Sequence, residues 1–255
     1  MTRKRPILLD ETPYKLLRRL SIEVAILPWG SVEAHNTHLP CGTDIMEARM
    51  IGREAARIAC ERGAKVLVLP AIPFGVNTGQ FDVPGTINMN PSTQMAVLED
   101  VVTSIEHQRI PKLVVLNGHG GNEFKWMIRE LQPKHRIFLS ALNWWTIVDP
   151  RKYFDEPGDH GGEMETSIMM HVAPELVLPL AEAGEGRERK RKISAFREGW
   201  AWTPRQWSRA TLDTGIGNPK AATAEKGRHY FEAVTGKIAE FLVELSAADP
   251  KDLYE

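Results

Sequence analysis

Residues 30–44 read GSVEAHNTHLPCGTD and gather Glu33, His35, His38 and Asp44 into one short segment. Glu33 and His35 are two apart, so in an extended chain both side chains project to one side. Asp44 follows nine residues after His35, beyond a turn at Pro40 and Gly42 that can fold the chain back. A carboxylate, an imidazole and a second carboxylate able to bridge describe half of a dinuclear site for zinc, manganese or iron. The alternative has His38 and Asp44 capping a helix that opens at Ile45, with Glu33 and His35 solvated. Leu39-Pro40 beside His38 gives that histidine a loop-shaping character.

Two further clusters offer matching chemistry. Residues 117–122 (NGHGGN) present one imidazole, His119, among glycines that permit close backbone approach. The amides of Gly120, Gly121 and Asn122 could receive an anion there, although a tight strand-to-helix turn with an exposed His119 is the plainer reading. Residues 159–167 (DHGGEMETS) put Glu165 in the first turn of a helix opening near Gly162. An acid at that place also simply favours the helix dipole. His160, in a glycine-flanked loop, can move protons near neutral pH. The dinucleotide fingerprint GxGxxG is absent.

Strand-like runs must position these clusters. They lie at 23–28 (EVAILP), 65–70 (KVLVLP), 112–117 (KLVVLN) and 136–142 (RIFLSAL). Continuous apolar runs of this kind suit parallel strands buried on both faces. Helical patterns fall at 45–62, 92–108 and 123–131, with a last one at 223–245; Ser92, after Asn90-Pro91, is expected to cap the second. Strand–helix alternation predicts right-handed βαβ units in an α/β fold, a three-layer αβα sandwich with a mostly parallel central sheet. One domain spanning 1–255 is expected. In such sheets functional residues collect beyond the carboxyl ends of strands. The first cluster follows the first strand, NGHGGN the third, and Asn143-Trp144-Trp145 the fourth, which favours one composite site.

Bulk properties narrow the classes. A net charge of −1 provides no global field for nucleic acid or an anionic membrane. No apolar run approaches the roughly 20 residues needed to span a bilayer. Residues 1–6 are basic, but Ile7-Leu8-Leu9 is too short for a signal-peptide core. Cys41 and Cys60 form no framework, so a reduced, cytoplasmic setting is expected.

Together the three clusters resemble the creatininase (creatinine amidohydrolase) family. Gly30 to Asp44 follows its pattern G-S-x-E-x-H-x-x-H-L-P-x-x-T-D, residues 117–122 its N-G-H-G-G-N, and His160 to Ser167 its H-x-G-x-x-E-T-S. Gly215-Ile216-Gly217-Asn218-Pro219 is similar to its C-terminal pattern. The resemblance implies two divalent metal ions, zinc first with manganese or iron as alternatives, and hydrolysis of a C–N bond by a hydroxide between them. It implies Glu33 and His119 on one metal, His35 on the other, Asp44 bridging, and Glu165 as the remaining ligand with a part in catalysis. His160 would be the proton donor or acceptor. A small amide, lactam or formamide substrate and a homohexamer are also implied.

Departures bear on the substrate. Creatinine-hydrolysing members carry a glutamate where Gly121 stands, and a lid tryptophan where Glu156 stands. Trp144 matches a tryptophan that encloses creatinine, and Asn36-Thr37 replaces a common Gly-Pro. Creatinine itself is therefore not the expected substrate. Biosynthetic alternatives are deformylation of a formylaminopyrimidine nucleotide and cleavage of a modified peptide. A non-catalytic metal-containing assembly or binding protein is the rival of another class, but structural zinc sites are usually closed and thiolate-rich. The segment 187–209 (RERKRKISAFREGWAWTPRQWSR) interleaves basic residues with Trp200, Trp202 and Trp207. It reads first as a solvated loop whose tryptophans pack on the body or across an oligomer interface. An anion-bearing substrate comes second and nucleic acid last.

Overall fold

Four parallel strands, β1 (Val24–Trp29), β2 (Val66–Val68), β3 (Lys112–Asn117) and β4 (Phe138–Asn143), form one sheet in the order β2-β1-β3-β4. The computed structural model describes residues 7–254, so the basic run at 1–6 lies outside the described residues. Eight α-helices accompany the strands among the described residues: α1 (Tyr14–Leu17), α2 (Thr43–Glu61), α3 (Pro91–His107), α4 (Phe124–Leu131), α5 (Glu163–Val172), α6 (Ser194–Glu198), α7 (Trp207–Ala210) and α8 (Ala224–Ala247). None of them is long and apolar enough to cross a membrane.

Strand periodicity sorts the layers. Val24, Ile26, Val114 and Leu116 face one side and pack with α2, α5 and α8. Ala25, Leu27, Trp29, Leu113 and Val115 face the other and pack with α3 and α4. Every residue of β1, β2 and β3 is buried, as the uninterrupted apolar runs require. The expected three-layer α/β/α sandwich is what forms.

Two helix starts differ from the sequence reading. Helix α2 opens at Thr43 instead of Ile45, so Asp44 lies in its first turn and no side-chain cap bond is made by Gly42 before it. Helix α3 has Asn90 at its N-cap and Pro91 in the first turn, not Ser92 as the cap. Proline's fixed φ is already helical and its missing N–H costs nothing there.

The connection from β1 leaves through α2 on one face, and that from β3 through α4 on the other. Between the carboxyl ends of β1 and β3 a crevice therefore opens, the usual ligand position in an open α/β sheet. Helices α5 and α8 are tied together at the rim of this crevice. Glu163, fully buried at the start of α5, accepts a 2.5 Å hydrogen bond from Lys226 Nζ of α8 and another from the Glu156 amide. Replacing Lys226 by Met leaves that carboxylate buried without its cation. We expect Lys226→Met to lower unfolding stability by about 2 kcal/mol in urea titrations, and Glu163→Gln with Lys226→Met to recover part of it. Equal stability in wild type and Lys226→Met would refute the tie.

Candidate metal centre

Helix α2 begins directly over the ends of β1 and β3. A Cβ at Gly118 would fall 2.6 Å from the Asp44 carbonyl oxygen, so only glycine lets the helix start sit so close to β3. Asp44 is thereby fixed between two histidines. Its Oδ1 lies 2.8 Å from His35 Nε2, and its Oδ2 lies 3.0 Å from His119 Nδ1. Glu33 Oε1 is 2.6 Å from the same His119 nitrogen, and Gln80 Nε2 donates to the other oxygen of Glu33.

Both imidazoles are held from behind. His35 Nδ1 donates to the Glu33 carbonyl at 3.2 Å, and His119 Nε2 to the Val76 carbonyl at 3.0 Å. This fixes the tautomer in each ring and turns the opposite nitrogen toward the carboxylates, the arrangement in which imidazole presents a lone pair to a cation. Two sets of ligand atoms result, each with its members within 4.8 Å of one another: Glu33, Asp44 and His119, and His35, Asp44 and Glu165. Asp44 belongs to both. Glu33, His35 and His160 form a third such set.

Electrostatics at the site are one-sided. Burial opposes charge on His35, yet Asp44, Glu165 and Glu33 lift its pKa well above the ordinary value. His119 is likewise raised against burial by Glu33 and Asp44. Burial disfavours the Asp44 carboxylate, but the two histidines depress its pKa. Burial pushes Glu165 up to about 7. Without a metal the carboxylates thus draw protons onto both rings. The donor set fits divalent cations, which would replace those protons with charge.

Glu165 satisfies its bland reading as well: its Oε2 accepts the Gly161 amide at 2.5 Å while the half-buried carboxylate also reaches the His35–Asp44 set. His160 Nε2 donates to the Ala34 carbonyl at 2.7 Å, and its ring lies 4.0 Å from that of His35 and 4.4 Å from Trp207. Burial, then His35, lower its pKa to about 4. His38 is buried outside the ligand sets, with Nε2 2.9 Å from Thr166 Oγ1 of α5. Gly120 and Gly121 line the cavity over the site. Asn122 does not; its amide is spent on Val76, Gln94 and Asn117. Trp144 is 1% exposed, packed edge-on against Tyr230 in the core, and its neighbour Trp145 lines the cavity instead. A short 3-10 turn at Trp144–Thr146 aims the two indoles differently.

Sequence reasoning missed Gln80 and Glu47. Nothing around Gln80 in the sequence marks it. Glu47 had a signal, an acid three residues after Asp44 on the buried face of α2. It is fully buried, neither oxygen has a hydrogen-bond partner, and burial with Glu165 and Asp44 raises its pKa well above normal.

A cavity of about 850 Å³ rises from the ligand sets, and the segment 187–209 supplies much of its wall. Most of the segment is exposed, as a solvated loop would be, yet one side of it lines the cavity. Trp207 packs on His160, its amide donates to the Gly79 carbonyl, and Trp200 and Trp202 remain exposed. The segment forms a strap whose ends meet: the Arg189 amide donates to Ala210, the Gly217 amide to Gly186, and the Gly186 amide to Asp213 Oδ2. Asn36, at φ 56°, exchanges hydrogen bonds with the backbone of Gly184 in both directions and so joins the strap's root to the His35 loop.

Comparison with known proteins agrees with this architecture. A crystal structure from Bacteroides fragilis NCTC 9343, named for creatinine amidohydrolase, is 44% identical and superposes with a TM-score of 0.92 over 99% of this chain and all of that one. Two solved creatininases, one of Zn–Zn type and one with Mn, are 22% identical, with TM-scores of 0.80 and 0.79 over 95% of this chain and 99% and 100% of theirs. At that identity they show the fold alone. The mycofactocin precursor peptide peptidase of Mycobacterium ulcerans (strain Agy99) is 29% identical over 217 residues, 81% of this chain and 79% of that protein. The profile of the creatininase family, described as creatinine amidohydrolase, matches residues 14–242, and the chain belongs to that family of hydrolases.

Proposed function

We propose that the chain hydrolyses a C–N bond of an amide, lactam or formamide, using two divalent cations held on either side of Asp44. The observation that carries this reading is the pair of imidazoles, each committed to a carbonyl behind and facing the shared Asp44 in front. Glu33 and His119 would hold one cation, His35 and Glu165 the other. Zinc is the first choice and manganese the second, the metals named for solved creatininases of the same fold. Such a pair supplies water with a lowered pKa and polarises the substrate carbonyl.

The remaining work falls to the chain. His160, neutral at pH 7 with Nε2–H engaged by Ala34, offers Nδ1 to take a proton from the attacking water and return it to the leaving nitrogen. Trp207 covers its ring and limits water there. Creatinine is not the substrate proposed. A Cβ at Gly121 would fall 2.2 Å from the Val76 oxygen that anchors His119, leaving no room for the glutamate of creatinine-hydrolysing members. The end of a modified peptide is a second reading, favoured by the roomy cavity and by likeness to the mycofactocin precursor peptide peptidase.

Metal analysis after chelation and reloading tests the centre. Wild type should take up about two ions per chain, Glu33→Gln about one, and Asp44→Asn fewer still, because a shared carboxylate serves both. Full uptake by Asp44→Asn would overturn its assignment. For His160→Ala we expect metal content to persist while turnover across an amide, lactam and formamide panel falls about 10²–10⁴-fold. Unchanged turnover would remove His160 from the mechanism, and loss of metal would make it a ligand.

A further inference from the structure

The cavity wall that the strap supplies is basic, and its charges are unevenly spent. Arg205 is fully engaged: it pairs with Asp159 at 2.9 Å and Glu188 at 3.0 Å, and lies over Trp207. One cation thus faces two acids, Asp159 and Glu188, and the three together keep a charge of −1 against the three further cations of the wall. Three other cations line the same cavity, Lys190, Arg191 and Arg197. Among the described residues none of them forms an ion pair. The two arginines are instead held by neutral carbonyls. Arg191 Nη2 donates to Thr203 at 3.1 Å with its guanidinium over the Phe196 ring, and Arg197 Nη1 donates to the carbonyls of Arg191 and Lys192 at 2.7 and 2.6 Å. A carbonyl orients a guanidinium without cancelling its charge, so the wall presents fixed donors at low ordering cost.

The same cavity is also lined by Glu33, Asp44 and Glu165 of the candidate metal centre. A substrate reaching from these acids to the strap must therefore satisfy two unlike environments. We infer that the substrate carries an anionic group, a carboxylate or a phosphate, bound by Lys190, Arg191 and Arg197 while its C–N bond lies at the Asp44 end. This rests on the hydrolase reading above and adds the substrate's charge to it. Planar, bidentate donors of this kind match both oxyanions.

Hydroxamates, which chelate metal centres, separate the two claims. Against metal-loaded protein, succinic, glutaric and adipic monohydroxamates and their ω-phosphonate counterparts are compared with neutral hydroxamates of equal chain length. We expect one chain length at which an anionic end binds about tenfold to a hundredfold tighter than the neutral one. The preferred anion distinguishes carboxylate from phosphate. Arg191→Gln with Arg197→Gln should bring that ratio near one, whereas Arg209→Gln, outside the cavity wall, should leave it in place. Should the double variant fold poorly, wild type alone decides, since the ratio must shrink as salt rises. Equal binding of anionic and neutral hydroxamates at every length would overturn the inference. If no hydroxamate binds, the metal reading fails by itself. Glutarate and inorganic phosphate titrated into metal-stripped protein then decide: binding lost in the double variant supports the anion site, and no binding overturns it.

Discussion

Glu33, Asp44, Glu47 and Glu165 crowd the crevice between β1 and β3, and among the described residues the cationic groups that bear on them are the imidazoles of His35 and His119. Unpaired buried carboxylates are costly, and without a metal they raise the proton affinity of His35, His119 and Glu47. This deficit of positive charge is the constraint around which the crevice is organised. It explains why both rings are pinned from behind, why Asp44 is shared, and why a structural reading of the acids as helix caps is insufficient.

The fold creates that deficit by topology. Strand order brings the loops after β1 and β3 side by side, though some 85 residues separate them in the chain. Helix α2 then seats Asp44 against Gly118, and α5 brings Glu165 from the far side, secured by the pair of buried Glu163 with half-buried Lys226 and by His38 on Thr166. The candidate donors thus come from the loops after β1 and β3 and from the first turns of α2 and α5. Backbone carbonyls of Glu33, Ala34 and Val76 contribute as much orientation as any side chain.

Much of this was legible because the residues involved are of rare types in tight spacing at strand ends. Apolar runs located all four strands, since strands buried on both faces leave no alternation to misread. Helix starts were harder: Thr43 and Asn90 lose nothing in sequence to Ile45 and Ser92, and tertiary seating decides between them. Trp144 and Trp145 differ by one position, and a single 3-10 turn sent the first into the core. Gln80 comes from a loop with no regular structure, so no period announces it. The strap's place over the cavity depends on pairings such as Arg189 with Ala210, which composition does not encode.

That pairing has an evolutionary meaning. Because the strap leaves and rejoins the body at nearly one point, its length and content can drift while the stem stays closed, and loop closure penalises added residues only slowly. None of the residues around Asp44 lies within it. The candidate metal donors and most of the cavity wall therefore lie on separate pieces of one chain, and the wall can be lengthened or rewritten without moving the donors.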